Sequence, residues 1–137
     1  CDLSMVKVEN TSFQNADFFS CKLLGVRFDE CNDFLLSMSF NQCILNFSSF
    51  ANKKVPRTEF KECKIEEVEF LSTDLSNASF EHSTLSRSTF ENCNLSETDF
   101  SEAYNFNIDL DTNKMDGAKF SSSNIATLLA KYNLQIV

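Results

Sequence analysis

The sequence predicts a single repeat solenoid, and two periodic features carry that reading. From Phe40 to Phe100 every fifth residue is large and apolar: Phe40, Leu45, Phe50, Val55, Phe60, Ile65, Phe70, Leu75, Phe80, Leu85, Phe90, Leu95 and Phe100. Two residues before such positions sits a smaller set: Thr11, Ala16, Cys21 and Val26, then Cys43, Ser48, Thr58, Cys63, Val68, Thr73, Ala78, Ser83, Ser88, Cys93, Thr98 and Ala103. A period of five matches neither an amphipathic helix nor a strand. It has to be read as a repeat before any local element is assigned.

The phase breaks at Asn105 and returns at Leu110, Met115, Phe120 and Ile125, and an earlier block carries it at Leu3, Val8, Phe13, Phe18, Leu23 and Phe28. The other positions are mostly Ser, Asn, Asp, Glu and Lys, as in Ser-Asn-Ala-Ser-Phe at 76–80 and Ser-Glu-Thr-Asp-Phe at 96–100. On these residues the chain resembles the pentapeptide-repeat family, whose pattern is A-[DN]-L-x-x. The resemblance implies an all-β fold, a right-handed quadrilateral β-helix in which four pentapeptides make one coil of about twenty residues. Large and small positions both then face inward.

Read at that interval, one column becomes Phe40, Phe60, Phe80, Phe100 and Phe120, and another Phe50, Phe70, Phe90 and Leu110. Coils one inter-strand distance apart, about 4.8 Å, would hold such rings within stacking range. The early block joins these columns if two extra residues enter between Phe28 and Leu35, and residues 29–34 are read as a corner with a small outward bulge. A second bulge is expected at 51–57. There Lys53 occupies an inward slot, where an unpaired ammonium is costly, and Pro56 cannot donate to a ladder.

The 137 residues make one domain, with the repeat over 1–120 and a terminal unit over 121–137. Two Gly and one Pro are few for a sandwich built of hairpins, whereas Asn, Asp and Ser suit repeated corners. No apolar run reaches membrane-spanning length and no signal peptide is visible. A cytoplasmic protein with a processed or trimmed start is expected, since the first residue is Cys1. Cys1, Cys21, Cys31, Cys43, Cys63 and Cys93 all fall on the small inward position and read as buried, reduced thiols. Disulfides are open to a secreted chain, with Cys1 over Cys21 and Cys43 over Cys63 near enough to bridge, but a Phe-cored solenoid does not require them. There is no C-x-x-C, and His82 stands outward without a neighbouring cysteine, so neither metal nor cofactor is expected.

After Phe120, Ser122, Ser123 or Asn124 can cap a short α-helix. Ile125, Leu128, Leu129 and Tyr132 follow at helical spacing, Asn133 suits the left-handed stop, and Leu134, Ile136 and Val137 read as a short strand. The tail is a cap over the core end. Its apolar residues exceed what one coil end can cover, so Leu128, Leu129, Tyr132, Leu134 and Ile136 are expected to hold a two-fold homodimer. With this tail the chain is similar to quinolone-resistance proteins of the Qnr and MfpA type and to microcin-immunity relatives, whose Gly at the helix stop is Asn133 here.

A net charge of −8 argues against direct nucleic-acid contact, which wants a basic stripe, and against anionic membranes. Folded into columns, Glu69 and Asp109 precede the Phe70/Phe90 ladder, Glu91 and Asp111 follow it, and Asp29 and Glu30 share that edge. A second stripe holds Glu59, Glu62, Asp99 and Glu102. Any soluble repeat displays charge on its outward positions. The quinolone-resistance resemblance implies more: that the acidic edge mimics DNA in the binding saddle of a type II topoisomerase, DNA gyrase or topoisomerase IV, with Lys53, Lys54 and Arg57 interrupting the acid. The alternative is a scaffold with an unrelated protein partner, since fold does not decide function. Glu62, His82 and Glu102 share a column beside Ser101, but without an oxyanion hole or concave pocket no enzyme is expected. Phe19, Leu24, Phe34, Phe47 and Leu71 are outward apolar residues, and the first two suit contact with a missing N-terminal segment.

Overall fold

The computed structural model describes residues 1–33, 36–132, 134 and 135, with the backbone alone at 130–132. Each pentapeptide turns one corner. In a representative coil the corner residues Glu62, Glu67, Ser72 and Asn77 have φ between 52° and 59°, and the residue after the corner closes the turn, as where Ala78 N donates to Leu75 O at 3.0 Å. That left-handed third position favours Gly or Asn. Asn10, Asn15, Asn52, Asn77, Asn92 and Asn105 fill it, with Gly25 and Gly117, but so do Phe47, His82 and Arg87.

Coils pair in parallel. Strands β1 (Ala16–Phe19), β2 (Met38–Asn41) and β3 (Phe60–Lys61) form one sheet in that order, and β4 (Glu69–Leu71) pairs with β5 (Thr89–Glu91). Phe40 faces Phe60 and Phe70 faces Phe90, while Phe18 faces Phe40, two residues further on. Single bridges such as Lys64↔Thr84, Asp74↔Asn94 and Asp99↔Lys119 continue the ladder around the coil. The chain is therefore a four-cornered β-helix solenoid.

The two extra residues enter later than the outward bulge at 29–34 anticipates. Phe28–Glu30 is a 3-10 turn, Cys31 is buried again, and Asn32 N still donates to Thr11 O in the regular register. The offset appears only by Ser37, which donates to Phe13 O. Phe34, in that segment, lies outside the described residues.

All thirteen apolar residues from Phe40 to Phe100 are at most 3% exposed. Phe18, Phe40, Phe60, Phe80, Phe100 and Phe120 stack with centroids 4.8 to 5.3 Å apart. Phe28, Phe50, Phe70 and Phe90 form a second stack at 4.8 to 5.4 Å. Between columns the rings meet edge to face, as for Phe60 and Phe70 at 6.3 Å and 87°. The second column stops at Phe90. Leu110 and Ile125, expected inside, are 38% and 40% exposed, because the chain leaves the repeat at Asn105 and Phe106 and Ile108 fill the core instead.

Five cysteines are buried, but Cys1 is exposed; all six are free thiols. A hydrogen bond from Cys63 pulls the Cys43 thiol down, and the same bond, with burial, pushes Cys63 up.

The outward bow expected at 51–57 does not form. Asn52, Val55 and Arg57 donate to Leu71, Asp74 and Ser76 carbonyls at 2.8 to 2.9 Å, so the coil keeps step. Lys53 runs inward and is 6% exposed. Its Nζ donates to the Cys31 carbonyl and, at 2.8 Å, to Asp33 Oδ1. The ammonium is paired, so the reason for expelling it is gone.

The tail also departs from expectation. Asn124 N donates to Ser121 Oγ at 3.2 Å and Ser121 N to Asn124 Oδ1 at 2.9 Å, so the reciprocal cap begins at Ser121, before the expected caps. Ile125–Tyr132 winds as a 3-10 helix, not an α-helix. Asn124 Nδ2 is tethered to Phe100 O at 2.9 Å, and the tighter winding aligns residues three apart. Leu128 enters the core at 6% exposure, while Leu134 is 59% exposed. The Tyr132 side chain, Asn133, Ile136 and Val137 lie outside the described residues, and Leu134 and Gln135 show no strand pairing.

Asp33→Ala leaves a buried ammonium with one carbonyl partner and is expected to lower the unfolding free energy by about 1–3 kcal/mol. Lys53→Met removes that charge and is expected to stay within about 1 kcal/mol of wild type. Urea melts check the order. A larger loss in Lys53→Met would mean that the ammonium itself stabilises the coil.

Candidate functional site

The face over the Phe28 to Phe90 column carries two outward rows, one on each side of the rings. Arg27, Ser49 and Glu69 align in the first through successive bridges, and Glu69 faces Thr89. In the second, Leu71 faces Glu91. Glu69 and Glu91 therefore sit on adjacent strands but on opposite sides of the ring column. Asp109 and Asp111 continue the face beyond β5, and Asp111 N donates to Asp109 Oδ1 at 2.8 Å. Buried Asn113 fastens this segment, its Nδ2 donating to Phe90 O at 2.8 Å and Asp109 O at 2.7 Å.

Glu91 and Asp109 come together around one hollow, while Glu69 lines another with Arg27. Asp29 does not join them, because Arg27 Nε and Nη2 donate to it at 2.9 and 2.7 Å. Three coil steps, about 14 Å, separate its coil from that of Glu91. Glu30 stands with it in the 3-10 turn. The sequence placed all six on one edge but carried no sign that Asp29 would be neutralised from within its own side of the coil.

The second stripe divides into two rows. Glu59 and Asp99 align with Ser79 between them and Lys119 after Asp99. At the neighbouring corner Gln42 Nε2 donates to Glu62 Oε2 at 3.1 Å, and His82 Nε2 lies 2.9 Å from Glu102 Oε2. Ser101 Oγ donates to Asp99 at 2.6 Å. Hydroxyl and imidazole thus have separate carboxylate partners, which leaves no nucleophile and base pair among Glu62, His82, Glu102 and Ser101. Glu81, His82 and Glu102 offer three ligand atoms within 4.8 Å of one another, all exposed; the His82 and Glu102 contact accounts for that closeness.

Around Glu91 and Asp109 lies a hollow of about 390 Å3, lined also by Ser88, Thr89, Phe90, Asn107, Ile108, Thr112, Thr127 and Leu128. The sequence reading anticipated no concave pocket. The phase break at Asn105 was its one visible sign, since the repeat alone cannot say what a departing segment encloses. Elsewhere, Phe19 and Phe47 are 64% and 58% exposed, and Leu24 and Leu71 are half-buried. Of the residues expected to pair two copies, Leu128 is committed to its own core, Leu129 is half-buried and Leu134 is exposed. No helix among the described residues is long and apolar enough to cross a membrane.

Asp99 offers a pH test of its row. Burial pushes its carboxyl up, but hydrogen bonds from Ser101 Oγ and N, with the Lys119 charge, outweigh this and hold it below the ordinary 3.8. A carboxyl depressed on folding stabilises the fold above its unfolded pKa and loses that contribution as pH falls through the folded value. Asp99→Asn is therefore expected to melt at lower urea than wild type near neutral pH, and to converge with it in acid below 3.8. An unchanged gap in acid would remove the carboxylate from the account.

A family model described as a pentapeptide repeat region matches residues 26–100, and another, pentapeptide repeats (8 copies), matches residues 1–32. No curated protein matches the chain. Among solved structures, two trypsin-treated variants of QnrB1, a plasmid-mediated fluoroquinolone resistance protein, are similar. One has a TM-score of 0.61 at 20% identity, covering 100% of this chain and 66% of that one; the other has 0.63 at 19%, covering 100% and 68%. HetL, a pentapeptide repeat protein involved in heterocyst differentiation regulation from the cyanobacterium Nostoc, has 0.67 at 16%, covering 88% and 64%. The chain spans 64% to 68% of the length of these structures, just under two thirds for the first, and at such identities the likeness is one of fold. The coils, their registers and the matched segments agree that this chain belongs to the pentapeptide repeat family.

Proposed function

We propose that this chain is a non-catalytic protein-binding rod whose acidic face takes the place of DNA in the basic groove of a type II topoisomerase, DNA gyrase or topoisomerase IV. One observation carries the reading: Glu69 and Glu91 stand on paired parallel strands and Asp109 lies with Glu91 around one hollow, in a chain of net charge −8. The five coil steps from Phe18 to Phe120 span about 24 Å, over which a duplex carries about 14 charges. Residues 18–120 carry a net −7, from 17 Asp and Glu against 10 Lys and Arg, so the rod has about half the duplex's charge density. Complementary charge of that order speeds encounter and selects the partner more than it adds affinity. QnrB1's role in fluoroquinolone resistance supports this choice of partner. The cytoplasm is where such a partner is met. Exposed Leu134 and half-buried Leu129 are left for a two-fold pairing that would lengthen the acidic rod.

A scaffold for an unrelated protein is the second reading. It is favoured by the Arg27–Asp29 pair, which removes the N-terminal coils from the acidic face, and by exposed Phe19 and Phe47.

The test is a gyrase supercoiling assay with and without a fluoroquinolone, across salt concentrations. Inhibition or drug protection is expected at low salt and should weaken as salt rises. Replacing Glu69, Glu91, Asp109 and Asp111 by Lys should abolish it while the melting curve persists. Absence of any effect on gyrase and topoisomerase IV at low salt would leave the scaffold reading in its place.

A further inference from the structure

Four of the six cysteines stand in one inward column. Lys22, Ile44 and Lys64 N donate to the carbonyls of Cys1, Cys21 and Cys43 at 2.8, 3.0 and 2.9 Å, so Cys1, Cys21, Cys43 and Cys63 follow one another in successive coils. Cys31 and Cys93 share another column, separated by Lys53 and Thr73. Ala78, Ser83 and Thr58 fill small inward slots equally well, so size alone does not explain a run of sulfurs. The thiols also point alike. Each donates to the carbonyl two residues back in its own coil, Cys21 to Phe19 O at 3.3 Å, Cys43 to Asn41 O at 3.4 Å and Cys63 to Lys61 O at 3.4 Å. Their sulfurs therefore repeat at coil pitch, about 4.8 Å. Cys43 and Cys63 are hydrogen-bonded to each other and are 1% and 2% exposed.

Two linkages can join stacked sulfurs, and the spacing separates them. A disulfide needs Cβ atoms about 3.5–4.5 Å apart, closer than in-register coils about 4.8 Å apart hold them. Drawing the coils together would squeeze the stack of Phe18, Phe40 and Phe60, whose rings lie 5.2 Å apart. A thiolate–metal bond is about 2.3 Å long, so a linear sulfur–metal–sulfur bridge spans about 4.6 Å and leaves the coils where they are. Soft thiolates favour Cu(I) and Zn2+. Zn2+ asks for four donors, more than this buried column offers, whereas two collinear sulfurs satisfy Cu(I). We infer that Cys43 and Cys63 bind Cu(I) between them as a two-coordinate bis-thiolate inside the coil stack. Both S–H protons leave as two sulfur–copper bonds form, copper keeps its oxidation state, and the product carries one negative charge. Within two residues of Cys21, Cys43 and Cys63 stand Lys22, Lys61 and Lys64 against a single carboxylate, Glu62, and this local excess of positive charge offsets it. Ligands one coil apart lie outside any C-x-x-C pattern.

The test uses the intact, reduced chain kept free of oxygen, with Cu(I) supplied as its acetonitrile complex and bicinchoninate as competing chelator. One copper per chain is expected to stay on the protein with an ultraviolet sulfur-to-copper band, and X-ray absorption should find two sulfur neighbours and no nitrogen or oxygen. The urea midpoint should rise with copper, because an ion held only by the folded coils stabilises them. Cys43→Ser and Cys63→Ser should each lose the copper, the band and the rise. Both are expected to fold, since Ser83 fills the next slot of the same column and donates to Phe60 O at 2.8 Å; copper-free melts check this. Cys21→Ser, Cys31→Ser and Cys93→Ser, which leave the pair intact, should behave as wild type. The proposal is overturned if copper survives in either variant of the pair, if Cys1→Ser alone removes it, or if X-ray absorption of the wild type shows nitrogen or oxygen donors. A Cys43–Cys63 disulfide formed in oxidised glutathione, read by mass spectrometry, would overturn it too, because the spacing argument would then fail.

Discussion

One spacing governs the molecule: the distance at which parallel coils hydrogen-bond is also the distance at which Phe rings stack. Parallel backbones settle about 4.8 Å apart, and the columns hold their centroids 4.8 to 5.4 Å apart with nearly parallel rings. The columns then lock edge to face, Phe50 on Phe60 at 6.0 Å and Phe80 on Phe90 at 6.1 Å. Neither set can slip without breaking the other. This constraint holds non-glycine corners in a left-handed conformation that costs about 1–2 kcal/mol each.

The small inward positions add a tie of their own. Ser83 Oγ donates to Phe60 O at 2.8 Å, Thr98 Oγ1 to Leu75 O at 2.7 Å and Ser88 Oγ to Ile65 O at 2.6 Å, each reaching back to the preceding coil. A buried hydroxyl would be costly without such a partner. Lys53 obeys the same rule from the same kind of slot, reaching the Cys31 carbonyl and then the carboxylate of Asp33. Surface chemistry follows from this regularity: outward positions recur at coil pitch, so acid, base or neutral polarity along each row is set by sequence alone. Where the repeat stops, the surface acquires shape as well as charge, as the hollow between residues 107–112 and the tail shows.

The core was legible because its two inward positions are marked by size and recur without interruption. From Phe40 to Phe100 the period placed every ring and aliphatic side chain correctly, and the shift of two aligned Phe18 with Phe40. The misreadings share a cause. Lys53 was judged as an isolated ammonium, when its partner Asp33 lies in the irregular stretch of the previous coil. Asp29 was counted as acid, when Arg27 two residues earlier takes it up. Leu110 was assigned by phase after a break, where Phe106 and Ile108 compete for the same volume. The tail was given α-helical spacing, but a cap begun at Ser121 and the Asn124 tether to the last coil leave it in a 3-10 winding. In each case a particular side-chain contact decided the outcome, and periodicity says nothing about such contacts.

The claim on which the rest depends is that the two ring columns lock each other. A double-mutant cycle on Phe60→Leu and Phe70→Leu, read from equilibrium urea unfolding, isolates that contact from the hydrophobic area each ring buries. The locked-column account expects a coupling of about 0.5–1.5 kcal/mol, the range for aromatic pairs. Additive losses, with no coupling beyond error, would contradict it.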